Sequence, residues 1–219
     1  MIEQKTNETE VRERVLKHAF LAFVQRGVKS VRMDDLSSEL GMSKRTLYEM
    51  FTDKEHLLLE CLRYNDQQSK KEIADLTADS DNPLKVYVKV LNKRLEELQQ
   101  VNIAFISESK HYPIVQEFIR QGHNKREENL LHFTQACIEA GVFRTDVEYR
   151  LLVKLFDMMA NSIMEQELYK LYPMQTIVKT LNTTFLTGLC TPKGLEILKN
   201  NNRGNSESNA EPRLSIAES

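Results

Sequence analysis

An all-α fold is predicted: a small N-terminal unit of three helices followed by a larger helical body. Three observations predict it. Only 7 Gly and 5 Pro punctuate 219 residues, too few for a β-sandwich, which needs a turn signal every few residues. Apolar residues recur three and four positions apart along most of the chain, the period of a helix with one buried face. No stretch alternates as a half-buried strand does. At this length roughly 70% of the unfolded surface is buried on folding, so no disulfide or metal staple is needed. The 30 Lys and Arg against 32 Asp and Glu give a net charge of −2, which excludes a generally basic nucleic-acid coat. Apolar runs such as those at 20–24 and 57–59 are far too short to cross a bilayer. The first five residues carry no apolar core of a secretory signal. Cys61, Cys137 and Cys190 are odd in number and far apart, the pattern of reduced thiols, and a cytoplasmic location is expected.

The first helix is expected over 8–26, with Val15, Leu16, Ala19, Phe20, Ala22, Phe23 and Val24 on one wide stripe. Asn7 and Glu10 stand at capping-box spacing before it, and Gly27 is placed to end it. Two short helices follow, over 33–40 and 44–50, with Gly41 between them. Thr52 and Glu55 form a second capping-box pair opening a helix that carries Leu57, Leu58, Cys61 and Leu62 and runs on toward Leu76. The segment 79–83 is a break, with Pro83 suited to a helix's first turn. Helical pattern resumes through Val86, Val90, Leu91, Leu95 and Leu98, breaks at 111–113, and continues to about Ala140, where Gly141 ends it. Two last long helices are expected over 147–171 and 174–189. Residues 200–219 turn to Asn, Ser, Glu and Gly and are expected to form a disordered tail.

The informative stretch is 33–51, a helix, a tight turn and a second helix. Gly41 permits the positive φ of the turn, Met42 fills the corner, and Ser43 caps the second helix. A helix-turn-helix of this kind lays its second helix in the DNA major groove, its N-terminal residues toward the base edges. Asp34 and Asp35 open the first helix as the helix dipole favours; Lys44 and Arg45 open the second against it. A phosphate or a guanine edge would supply their missing partner, whereas two cations harmlessly in solvent would need none. Acids and bases nearly balance over residues 1–60, so these cations make a patch only if Glu39 and Glu49 turn away from it.

The spaced features over 11–62, with Gly41-Met42-Ser43, Thr46-Leu47-Tyr48, Phe51 and Asp53-Lys54-Glu55, resemble the tetracycline-repressor-like (TetR) family of transcriptional regulators. The resemblance implies that the helix holding Lys44 to Phe51 is the recognition helix. It places Ser43, Lys44, Arg45 and Thr46 at bases or nearby phosphates, Tyr48 on the backbone, and Lys54 clamping a phosphate from the start of the next helix. One position departs from the family: Arg32 stands where a Thr or Ser usually caps the first motif helix. Arginine cannot accept that bond, so Ser30 or a shifted start must serve, and Arg32 is free to reach a phosphate.

Other chemistry finds little support. No glycine-rich phosphate loop is present, and the five histidines show no H-E-x-x-H spacing. Glu128 and His132, one turn apart, read as a solvated pair before a metal pair, and Cys137 reads as core before nucleophile. No enzyme activity, cofactor or metal is expected. In the last two long helices Leu151, Leu152, Leu155, Phe156, Met158, Met159 and Ile163 form an unusually wide apolar face. Beside the stripe of Ile177, Leu181, Phe185 and Leu189 run the small residues Thr180, Thr184, Thr187, Gly188 and Thr191. In the family these two helices form a four-helix dimer interface, which places Leu155, Met158, Ile177, Leu181, Thr184, Phe185 and Gly188 in it. A pocket for a small hydrophobic effector is expected in the middle of the body, lined by Phe105, Phe118, Phe133, Phe156 and Met159.

The expectation is therefore a DNA-binding unit over 1–53, a ligand-binding and dimerisation body over 54–199, and a tail over 200–219. The implied function is a homodimeric regulator that represses from a near-palindromic double-stranded operator and is released by a ligand, with no membrane partner. The alternatives are a helical adaptor or ligand-binding protein whose helix-turn-helix is purely structural, and a helical enzyme using the same pocket.

Overall fold

The structure, a computed structural model, describes residues 2–206, the side chains of 2–7, 123–126 and 201–206 excepted. Its order is α1 (Ile2–Arg26), α2 (Met33–Glu39), α3 (Lys44–Met50), α4 (Lys54–Ala78), α5 (Pro83–Leu98), α6 (Ile103–Ser109), α7 (Pro113–Glu139), α8 (Tyr149–Glu165), a single 3₁₀ turn (Leu168–Lys170), α9 (Met174–Leu189) and α10 (Pro192–Ser206). Among the described residues the β-structure is one isolated bridge, Phe143 with Cys190, and no helix is long and apolar enough to cross a membrane.

The first core is built as the α1 stripe requires. Val15, Ala19 and Phe23 of α1 are fully buried with Leu36 of α2, Leu47 of α3 and Phe51, and Leu57, Leu58 and Cys61 of α4 close the same cluster. This core runs through the expected boundary between residues 53 and 54 and reaches Val115 of α7. A second core holds Leu84 and Val88 of α5, Cys137 of α7, Phe143, Tyr149, Leu186 and Cys190. Here Tyr87 stacks on Phe133 at 4.7 Å between ring centres, and Phe133 meets Phe143 edge-on at 5.6 Å. All three cysteines are free and buried; burial pushes the Cys137 thiol up to about 12 and the Cys190 thiol to about 11, which makes them poor nucleophiles at neutral pH.

Helix ends differ from expectation in several places. The helix expected over 147–171 runs only from Tyr149 to Glu165, because Glu167 takes φ +54° and a separate 3₁₀ turn follows it. α1 begins at Ile2, six residues early, because Glu, Gln and Lys types favour helix and neither Gly nor Pro stops it; the Asn7 side chain lies outside the described residues. The cap of α4 is Asp53, whose carboxylate accepts from the His56 N–H at 2.8 Å; Thr52 bonds instead to the His56 ring. The segment after Leu98 contains a separate short helix, α6, capped by Asn102. α10 carries regular structure through Ser206, so residues 200–206 are helical, and 207–219 lie outside the described residues.

α6 fastens the head to the body. The Asn102 backbone N–H donates to Val24 O at 2.8 Å and its amide to Gln25 O at 3.0 Å, satisfying carbonyls that the end of α1 leaves open. Gly27 lies alongside at φ +83°, and a Cβ there would stand 2.9 Å from that of Ala104. The Glu108 carboxylate accepts from the Lys29 N–H at 2.7 Å. At the far end of α6, Lys110 reaches Glu167 at 2.8 Å, a residue held at φ +54° between α8 and the 3₁₀ turn.

Candidate nucleic-acid interface

α2 and α3 meet through Leu36 and Leu47, both fully buried, with Met42 half-buried in the corner between them. Gly41 takes φ +65°, a conformation that costs a glycine nothing. Ser43 Oγ accepts from the Thr46 N–H at 3.0 Å and pairs with the Thr46 hydroxyl at 2.8 Å, fixing the first turn of α3. With Leu47 turned inward, Ser43, Lys44, Arg45, Thr46, Tyr48 and Glu49 are all exposed on one short helix. Such a surface can enter a groove without rearrangement.

Its cations are not without partners. Lys44 Nζ lies 2.5 Å from Asp34 in the first turn of α2, and that bond raises the ammonium's pKa. Arg45 Nε donates to Glu49 Oε1 at 2.8 Å, one turn along α3. The compensation missing from the dipole pattern is thus supplied inside the protein, by Asp34 and Glu49, and the misplaced charges by themselves no longer point to DNA. Glu39 does turn away from α3: Arg26 and His18 of α1 clasp its carboxylate, which lies at about 2. Glu49 does not turn away. Its pairing was readable from the four-residue spacing, whereas Asp34 and Glu39 find their partners only through the tertiary fold.

Arg32 is exposed and is the N-cap of α2, with no side-chain cap bond. Ser30 does not replace it: its hydroxyl donates to Arg26 O and Gly27 O at the end of α1. The α2 start therefore stands without a side-chain cap, and Arg32 remains beside α2 with its charge in water.

Lys54 is placed differently from its expected role. It is half-buried, and its ammonium donates to Val28 O at 3.0 Å and Val31 O at 3.2 Å. Burial lowers its pKa. It closes the loop between α1 and α2, with its ammonium engaged by two backbone carbonyls. Lys54→Ala is accordingly expected to destabilise the fold by about 1–2 kcal/mol, the cost of leaving two partly buried carbonyls without their charged donor. Thermal melting checks this, and an unchanged midpoint would return Lys54 to the phosphate-binding set.

The aromatic residues expected to line one pocket are not brought together. Phe105 and Phe118 pack on the rim of the first core, and Phe105 meets Phe20 edge-on at 6.3 Å. Phe133 is in the second core, and Phe156 of α8 meets Phe185 of α9 edge-on at 5.3 Å. Met159, also on α8, is half-buried. Among the described residues no group of three or more His, Cys, Asp and Glu is placed to hold a metal.

On the residues expected to meet a second copy, Leu155 is 44% and Met158 60% exposed, and Leu151 of the same helix is exposed too. Thr184 and Gly188 of α9 are exposed, and nothing lies within 4 Å of where a Gly188 Cβ would be. Leu181 and Phe185 are half-buried, and Ile177 is buried inside the subunit.

Head and fold together make a helix-turn-helix unit on a larger helical body. Residues 15–61 match the family model described as bacterial regulatory proteins, tetR family. The match spans the helix-turn-helix unit, whose sequence is similar there to the tetR family of bacterial regulatory proteins. Solved structures agree on the fold over the greater part of the chain. A TetR transcription regulator from Haloarcula marismortui superposes with a TM-score of 0.66 at 15% identity, covering 84% of this chain and 100% of that one. A Saccharomonospora viridis protein described as a transcriptional regulator, in complex with choline, gives 0.65 at 21% identity, covering 84% and 99%. The ketosteroid transcriptional regulator KstR2 of Mycobacterium tuberculosis gives 0.54 at 18% identity, covering 82% and 95%. No curated protein matches the chain.

Proposed function

We propose that the protein is a homodimeric repressor that holds a near-palindromic operator through two α3 helices and is released by a small molecule bound in the body. The observation that carries the dimer is the α8 face: Leu151, Leu155 and Met158 leave a row of large apolar side chains in water, beside an α9 edge where Thr184 and Gly188 let another helix approach. Contiguous exposed apolar surface of this kind marks an interaction site. Two heads related by a dyad would meet half-sites about one helical turn apart, roughly 34–36 Å.

Release is supported by the way α6 joins the head to the body. A shift of α7 or α8 is carried to the end of α1 through Asn102 and Glu108, and to α3 through the core that α1 shares with α4. The ligand acts only as far as it prefers the arrangement that does not fit DNA. A ligand placed beside Phe133 or Phe156 would meet the Tyr87–Phe133 stack or the Phe156–Phe185 contact. The choline in the Saccharomonospora viridis structure supports a small-molecule effector for this fold.

The test is a band shift with DNA from upstream of the protein's own gene, followed by titration with any small molecule released from the purified protein and identified by mass spectrometry. Specific retardation that the molecule reverses supports the proposal. A chain that is monomeric at micromolar concentration, or that shows no preference among DNA sequences, favours the adaptor reading.

A further inference from the structure

We propose that Glu49 aims Arg45 at the DNA and so sets base preference at one position of each half-site. The inference rests on α3 being the recognition helix. Three observations carry it. First, the bond between them runs from Arg45 Nε to Glu49 Oε1 at 2.8 Å. It engages the guanidinium through Nε rather than through the two terminal nitrogens, the pair that a guanine's O6 and N7 accept from. A guanidinium held in this way keeps its fork available while its swing is restricted, and pre-organisation lowers the entropy lost when the fork docks.

Second, helix stability does not account for the pair. Its side chains are 88% and 59% exposed, and exposed pairs one turn apart contribute little. The order is also the less favourable one, with the cation at the start of α3 and the acid toward its end, both opposed to the helix dipole. Third, Glu49 lies on the same exposed helix as Ser43, Lys44, Thr46 and Tyr48. A carboxylate there repels phosphates whatever the sequence, a cost that falls on correct and incorrect sites alike; a gain that falls only on the correct site turns it into discrimination. Asp34 does not share this role: Lys44 is a point charge without a fork, and its bond ties α2 to α3.

The test is selection from random-sequence duplexes by the full-length protein, followed by titration of the selected site and its single-base variants. Wild type should enrich a two-fold site with a guanine whose preference Arg45→Ala removes. Glu49→Asp keeps the charge and loses the reach, and Glu49→Ala loses both. In each, the preference at that base pair, about 5- to 150-fold for a bidentate contact, should fall by about twofold, the most that an exposed pair this weak can supply, while other positions and the melting midpoint stay as in wild type. Glu49→Gln keeps an acceptor at the same distance and should retain the preference, while binding mixed-sequence DNA about two- to fivefold more tightly for want of one like charge. Retention by the Asp and Ala variants overturns the aiming role, as does its loss in the Gln variant. Failure of wild type to enrich any sequence instead overturns the DNA-reading assignment, and this inference with it.

Discussion

Met158→Arg is expected to yield a folded monomer that has lost operator binding. Met158 is 60% exposed on α8, so within one subunit the new guanidinium stays in water, and a surface substitution of this kind changes stability by about 0.5 kcal/mol or less. Between two α8 helices the same charge is desolvated without a partner, a cost on the order of 3–5 kcal/mol per buried unpaired charge, and a two-fold interface places two of them close together. A monomer also loses the gain from engaging two half-sites at once, about 10²- to 10⁴-fold in affinity. Leu155→Arg should behave alike. Phe185 is a poorer choice, because its ring packs on Phe156 of its own subunit and a charge there would damage the monomer as well. Sedimentation velocity at micromolar concentration, beside a melting curve, separates these outcomes. Dimers in both variants would move the interface off α8.

Much of this architecture was legible in the sequence because it is set by local chemistry. Gly41, Ser43 and Pro83 each hold a position that a turn, a cap or a first helical turn requires, and the structure places them in those roles. The α1 stripe names its own core, since a period of 3.6 fixes which side chains share a face. Where local signals compete, proximity decides: Thr52 and Asp53 can both cap, and Asp53 does so because its carboxylate reaches the His56 N–H. The pocket residues show the limit of periodicity. It assigns Phe105, Phe133 and Phe156 to buried faces and says nothing of which face meets which, and they fall in three separate packing groups. Lys54 shows the same limit for charge. Its position near the start of a helix suggests a phosphate, and only the return of the chain at Val28 and Val31 supplies the carbonyls it bonds. Partners far apart in sequence, such as Asp34 with Lys44 or Asn102 with Val24, have no signature before the fold exists.

Arg45→Ala is expected to cost about 1–3 kcal/mol on the operator and to relax preference at one base pair in each half-site. The side chain is 88% exposed, so truncation opens no cavity, and the lost pair with Glu49 contributes at most about 0.5 kcal/mol to the helix. Melting and dimerisation should therefore match wild type, and the loss should appear in discrimination between sequences rather than in the fold. Arg32→Ala and Lys44→Ala differ from it in kind. Arg32 stands exposed at the α2 start without a cap bond, and Lys44 is a single charge; each should weaken operator and non-operator DNA alike and reduce the salt slope by about one unit for every phosphate it no longer neutralises. Lys44→Ala should also free Asp34, so its deficit should shrink when Asp34 is replaced by Asn. The triple variant at Arg32, Lys44 and Arg45 leaves Lys54 in place on Val28 and Val31, and so removes the exposed charge of the head without removing the bonds that close its first loop. If that protein melts as wild type and still binds the operator with wild-type affinity and salt dependence, α3 does not read DNA, and its exposed face serves another partner.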